Sequence, residues 1–154
     1  MDSRTHASHA RYHVARGHAF GAADHLTGEM AEGDPVLLMT IAEIQLRAGH
    51  LDSGIALAEQ VLAAEPSSAG SLVRLGLDLA PGQEDAGFLL VEMGAHAWMV
   101  EGRWSDAAGA FAEFIARRPQ YVPAAVRLHE IEAASEAASE PAAVVLPFRR
   151  LRSA

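Results

Sequence analysis

Apolar residues recur at every third or fourth position through most of the chain, which is the period of a helix with one buried face. Glycine or proline separates each helical run from the next. The runs cover Asp34–Glu65 with a break at Gly49-His50, then Ser68–Ala80, about Glu84–Val100, about Trp104–Arg117 and about Val122–Ala138. No stretch alternates apolar and polar residues with β-branched enrichment, as a strand would. The pattern therefore predicts an all-α chain of short helices.

Proline and small residues recur at fixed distances along these runs. Pro35, Pro66 and Pro119 each follow a predicted helix, and Ala23, Gly54 and Ala107 stand 12 residues before them. The small residues are separated by 31 and 53 positions. The first interval is close to the 34-residue period of a helix–turn–helix repeat, and the second is about 15 residues short of two periods. The sequence thus predicts imperfect internal repetition.

The repeats share a pattern of large and small residues. The clearest stretch, Phe88–Pro119, contains Val91, Gly94-Ala95, Trp98, Gly102, Trp104, Ala107, Phe111 and Phe114. A second stretch, Pro35–Pro66, contains Leu38, Ile41, Ala42, Leu46, Gly49, Leu51 and Gly54. In these residues the chain resembles the tetratricopeptide repeat (TPR) family. Ser68–Ala80 is similar to the first helix of a third repeat, and Ala7–Pro35 to a degenerate one.

The resemblance implies a right-handed solenoid of stacked antiparallel helix pairs over residues 1–140, followed by an extended apolar and basic tail over 141–154. A helix over Pro123–Ala138 would cap the stack, with Ala124, Ala125, Leu128 and Ile131 facing the last repeat. Trp98, Trp104, Phe111 and Phe114 would fill the space between pairs. Compared with a regular series of repeats, the chain after Pro81 is about 15 residues too short, which is the length of one helix. We therefore expect one long helix from near Glu84 to replace two.

TPR proteins as a family are non-catalytic scaffolds, and the first helix of each pair lines a concave peptide-binding groove. By this resemblance, the residues of this chain that would line the groove are Tyr12, Arg16, Met39, Glu43, Leu46, Arg47, Val73, Leu77, Leu89, Glu92, His96 and Met99. The apolar members would leave uncovered area that fits an apolar or amphipathic segment of another protein. The family's clamp for a C-terminal carboxylate needs Lys and Asn, and this chain has neither. We therefore do not expect that use.

Composition narrows the remaining classes. A net charge of −8 argues against a nucleic-acid partner, since phosphate binding requires a basic face. The absence of cysteine excludes disulfides and thiolate chemistry. No apolar stretch reaches the ~20 residues of a membrane span, and no secretory signal is recognisable at the N-terminus. We expect a cytoplasmic protein that binds neither nucleic acid nor membrane.

Two features leave alternatives open. His6, His9 and His13 would share one helix face but spread over about 10 Å, so at most the His9–His13 pair could bind a metal ion. We expect no metal, no cofactor and no enzymatic activity, because no catalytic motif is present. The tail from Ala142 to Arg152 is apolar and basic on an acidic protein. It could dock on a neighbouring subunit, which would make the protein a self-assembling homo-oligomer.

Overall fold

The computed structural model describes residues 7–9, 11–12 and 26–138. All regular structure in these residues is helical, which confirms the all-α prediction for this part of the chain. Besides helical residues at 7–9 and 11–12 and two short 3₁₀ turns, the helices are α1 (Pro35–Arg47), α2 (Leu51–Ala64), α3 (Ala69–Leu79), α4 (Glu84–Val100), α5 (Trp104–Arg117) and α6 (Val122–Ala138). Arg16 and the tail over 141–154 lie outside the described residues.

The chain divides into two compact units, Met1–Ser67 and Ser68–Ala154. In the first unit, α1 packs against α2 and against the 3₁₀ turn that precedes it. In the second unit, α3 packs against α4, α4 against α5, and α5 against α6. Each unit has its own cluster of buried apolar side chains.

The first helix pair, α1 and α2, begins and ends where local chemistry dictates. The Asp34 carboxylate accepts a hydrogen bond of 3.0 Å from Val36 N, and Pro35 occupies the first helical position, where its missing N–H costs nothing. Gly49 ends the turn after α1 with a φ of 88°, which favours glycine. Leu46 lies against Gly54, where a β-carbon would collide with it. The absence of that β-carbon allows the two helices to approach closely.

The second helix pair, formed by α4 from Phe88 onward and by α5, repeats the first pair 53 positions later. Each pair has 13 residues, a three-residue turn and 14 residues. Gly102 has a φ of 79° at the position equivalent to Gly49. The same turn hydrogen bond recurs: Gly49 N donates to Leu46 O, and Gly102 N donates to Met99 O, both at 3.0 Å. Both predicted pairs are therefore present, with matching backbone connections.

The predicted long helix is α4, which starts at Glu84 and packs on one side against α3 and on the other against α5. Glycine makes its contact with α3 close. A β-carbon on Gly76 would lie 2.6 Å from Gly87 O, and one on Gly87 would lie 2.5 Å from Gly76 O. Because α4 serves both neighbours, no second helix separates α3 from α4.

The aromatic core of the second unit centres on Phe88, Phe111 and Phe114, which are all buried. The Phe88 ring lies 5.8 Å from Phe111 and 6.1 Å from Phe114, in tilted and edge-on arrangements that aromatic rings favour. Trp98 and Trp104 are only partly buried at the margin of this cluster. Both tryptophans therefore pack against the aromatic core, but they are less buried than Phe111 and Phe114.

Helix α6 buries Ala124, Arg127, Ile131 and Ala134. Ala125, which was expected to face the preceding repeat, is exposed, and Leu128 is partly buried. The buried face is rotated from the predicted one because it includes an arginine that binds a buried carboxylate of α4. Hydropathy alone would place that arginine in solvent.

Candidate interaction surface

Most of the predicted apolar groove positions are covered. The buried members are Leu46, Val73, Leu77, Leu89 and Met99. Leu46 is used inside the first helix pair against Gly54, and Val73, Leu77 and Met99 belong to the buried cluster of the second unit. The expectation that these side chains leave apolar area uncovered is wrong, because they are already buried by helix packing within their own units.

The first unit keeps the other predicted positions accessible. Tyr12 is 54% exposed, Arg47 is exposed, and Met39 and Glu43 are partly buried. The Glu43 carboxylate accepts hydrogen bonds from Arg47 Nε at 3.1 Å, one helical turn away, and from Arg11 at 2.9 Å. Two guanidinium groups thus share one carboxylate on the outer side of α1.

A cleft of about 310 Å³ lies beside this charged group. It is lined by Ala7, Ser8, Arg11, Asp34, Val36, Leu37 and Thr40. Its walls come from the helical residues at 7–9 and 11–12 and from the first turns of α1. Ala7 and Leu37 are buried within the wall, while Arg11 also binds Glu43. The cleft is therefore partly apolar and has cationic and anionic groups at its margin.

In the second unit the predicted positions Glu92 and His96 lie one helical turn apart on α4. Glu92 is 1% exposed and forms an ion pair with Arg127 of α6, which is 3% exposed. Arg127 also donates to Glu130 at 3.1 Å. His96 is partly buried. Because Arg127 of α6 already occupies the Glu92 carboxylate, Glu92 cannot orient a ligand as predicted.

The structure adds two arginines that were not predicted, Arg11 and Arg127. Arg127 has a sequence signal, since it stands between Ala124 and Ile131 at the three- and four-residue spacing of one helix face. A cation on such a face requires a buried anion as partner. Arg11 gives no comparable signal, because its partner Glu43 lies 32 positions away.

A second polar group joins the start of α4 to the turn before α6. Tyr121 donates a hydrogen bond of 2.7 Å to Asp85, and Arg118 donates one of 2.9 Å to Glu84. Partial burial, followed by the hydrogen bond to Asp85, raises the pKa of Tyr121 well above its usual range. The hydrogen bond from Arg118 lowers the pKa of Glu84. These residues connect the start of α4 to the chain that follows α5.

Among the described residues, no three His, Asp or Glu side chains lie close enough together to hold a metal ion. His9 is exposed, while His6 and His13 are outside the described residues, so the His9–His13 pair stays a hypothesis. Within the described part of the chain, no helix has the length and apolar character needed to cross a membrane.

No protein-family model, curated protein or solved structure matches this chain. A functional assignment therefore depends on the residues and geometry above.

Proposed function

We propose that the protein is a non-catalytic adaptor of the TPR type that binds a segment of a partner protein at the first unit. The binding surface comprises the cleft between α1 and the helical residues at 7–9 and 11–12, together with the adjoining Tyr12, Met39, Glu43 and Arg47. No cofactor or metal takes part in this proposal.

The repeated helix pair supports the TPR part of the proposal. In the two pairs, 53 positions apart, the second helices have the same length, the turn has three residues in each and its glycine has the same conformation, which is what a helical repeat produces. We infer that the pairs stack as a right-handed solenoid and that α6 is its capping helix.

The observation that carries the binding proposal is the cleft beside the arginine pair. A volume of about 310 Å³ is at the lower end for ligand pockets and fits one or two side chains of a peptide. Predicted groove positions of the first unit remain accessible around it, whereas those of the second unit are mostly covered. The first unit is therefore the more suitable surface for a partner.

The charges near the cleft indicate the kind of segment. Arg11 and Arg47 both bind the Glu43 carboxylate, so two guanidinium groups lie close together beside the cleft. A carboxylate of the partner can replace or join Glu43 in bidentate contact with a guanidinium. We therefore propose a segment with an apolar side chain for the cleft and an acidic residue within a few positions of it.

Selection from a random peptide library displayed on phage tests this proposal and does not require the partner to be identified first. We expect enriched peptides that pair an apolar residue with Asp or Glu. Ser8→Trp should fill the cleft and Arg47→Gln should remove a cation, and each should weaken the selected peptides by about tenfold or more. Arg74→Gln, at an exposed position of α3, makes the same charge change in the second unit and should have no effect. Equal loss with Arg74→Gln, or no enrichment, would contradict the proposal.

A further inference from the structure

The outer face of α6 is an exposed stripe that runs the length of the helix. It comprises Val122, Ala125, Val126, His129, Glu132, Ala133 and Glu136. These positions are three or four residues apart, so they lie on one side of the helix. Val122 is 66% exposed and Val126 is 50% exposed, although α6 has a well-buried opposite face. The stripe is therefore an exposed surface of α6 within the described part of the chain.

Polarity changes along this stripe. Its N-terminal half is apolar through Val122, Ala125 and Val126, and its C-terminal half carries the acidic residues Glu132 and Glu136. The centres of the two halves are ten residues apart, which is about 15 Å along a helix. A ligand for this face needs an apolar part and a cationic part at the same separation.

The chain itself contains such a segment after α6. Val144, Val145 and Leu146 are followed by Phe148, and then by Arg149, Arg150 and Arg152. The centres of the apolar and basic parts are about five residues apart, which is about 16 Å in an extended chain. Both the order of the two parts and their spacing match the stripe when the segment runs parallel to α6.

We propose that residues 144–152 of a second copy bind along the outer face of α6 in this parallel direction. The valines and Leu146 cover Val122 and Val126, and the arginines pair with Glu132 and Glu136. Each copy then offers one acceptor helix and one donor tail. The contact is heterologous, so it generates closed rings or exchanged dimers where the geometry closes, and open chains otherwise. This proposal is independent of peptide binding at the first unit.

The copy's own tail fits the stripe less well. Val144 is six positions after Ala138, and six residue steps span about 21 Å at full extension. Along α6, about 21 Å also separates Ala138 from the apolar half of the stripe. A tail that binds its own α6 in the parallel direction must first turn back past this half, and no residue is left for that turn. An antiparallel tail would place Glu140 beside Glu132 and Glu136 and carry its arginines beyond the start of α6. The copy's own tail would then bring Glu140 to the acidic half of the stripe, whereas the tail of a second copy brings arginines there.

Complementary charge reversal in the full chain tests the proposal. One variant carries Glu132→Arg and Glu136→Arg, and the other carries Arg149→Glu and Arg150→Glu. In each variant alone, acceptor and tail have the same charge, whereas both junctions between the two variants are attractive. Light scattering after size exclusion, over micromolar to millimolar protein, should show assembly of the native chain and weakening by more than about tenfold in each variant. An equimolar mixture should recover the assembly.

A matched control carries Glu59→Arg and Glu113→Arg, which make the same total change in charge at residues outside α6. It should assemble as the native chain does, and circular dichroism should show equal helix content in all variants. A native chain that stays monomeric throughout the concentration range overturns the proposal. So does a mixture that fails to assemble, which is the outcome if the tail binds its own α6.

Discussion

The two helix pairs share a backbone but use different side-chain chemistry at equivalent positions. In the first pair His50 lies within 2.7 Å of the Gln45 amide oxygen, and that amide donates to Leu26 O. In the second pair the equivalent residues are Arg103 and Trp98, and the guanidinium lies 5.0 Å from the indole centroid. The turn glycine and its hydrogen bonds are unchanged. The geometry of the pair thus depends on the turn and on close packing, and tolerates different contacts across it.

A second difference between the two pairs explains why the equivalent face is accessible in the first unit and buried in the second. Met39 and Glu43 of α1 are equivalent to Glu92 and His96 of α4. In the first unit these residues are partly buried, and the arginines that bind Glu43 are exposed. In the second unit α6 supplies Arg127, which takes Glu92 out of solvent. In the second unit, the helix that follows the pair therefore brings this face into the core.

The largest expected effect comes from breaking this buried ion pair. Arg127→Met leaves the Glu92 carboxylate buried without its guanidinium, which should reduce the free energy of unfolding by about 3–5 kcal/mol. Both tryptophans lie in the second unit, so their fluorescence during urea denaturation reports on that unit. Arg47→Met at the exposed pair with Glu43 should cost less than about 1 kcal/mol.

Adding Glu92→Met to Arg127→Met removes the unpaired charge and should recover most of the lost stability. If Arg127→Met were neutral by itself, the pair would not be buried as described, and the contrast between the two units would disappear.

A smaller effect is expected where the helices of the first pair approach. Gly54→Ala places a β-carbon against Leu46 and should cost about 1–3 kcal/mol by overpacking. The second pair already has Ala107 at this position, and there the flexible Met99 replaces Leu46. Leu46→Met should therefore restore part of the stability of Gly54→Ala. Thermal denaturation followed by circular dichroism measures both changes.

Gly109→Ala is the control, because this exposed helical glycine has no atom within 4 Å of an added β-carbon. It should stabilise the protein by about 0.5–1 kcal/mol, the ordinary advantage of alanine in a helix. Equal destabilisation by the two substitutions would show that close approach is not what distinguishes Gly54.

The helices and their pairing could be predicted because they depend on local signals. Gly49, Gly102, Pro66 and Pro119 mark turns and ends, and the apolar period gives the helix faces. The exposure of the groove positions could not be predicted, because it depends on contacts between distant residues. Leu46 fits the groove pattern equally well as a core residue, and only its contact with Gly54 decides between the two. Arg127 likewise acquires its role from a carboxylate 35 positions away.

The smallest expected effect concerns a contact that only the second pair has. The first turn of α4, residues 84–87, extends beyond the part equivalent to α1, and its Asp85 accepts the hydrogen bond from Tyr121. In the first pair α1 begins at Pro35, which is equivalent to Phe88, so α1 lacks this turn. Tyr121→Phe should therefore cost about 1 kcal/mol at pH 7, the usual net contribution of one hydrogen bond.

The same contact gives this prediction a distinct pH dependence. Because the folded state raises the pKa of Tyr121, the neutral hydroxyl stabilises the fold fully below the unfolded pKa of about 10, and this contribution is lost as pH rises above it. The advantage of the native chain over Tyr121→Phe should therefore shrink between about pH 10 and 11 and then reverse. Tryptophan-monitored urea denaturation at pH 7, 9, 10 and 11 measures the difference in stability between the two proteins. The other tyrosine, Tyr12, is present in both, so its ionisation does not contribute to the difference. A difference that stays constant to pH 11 would mean that Tyr121 ionises in the folded protein as it does in the unfolded chain.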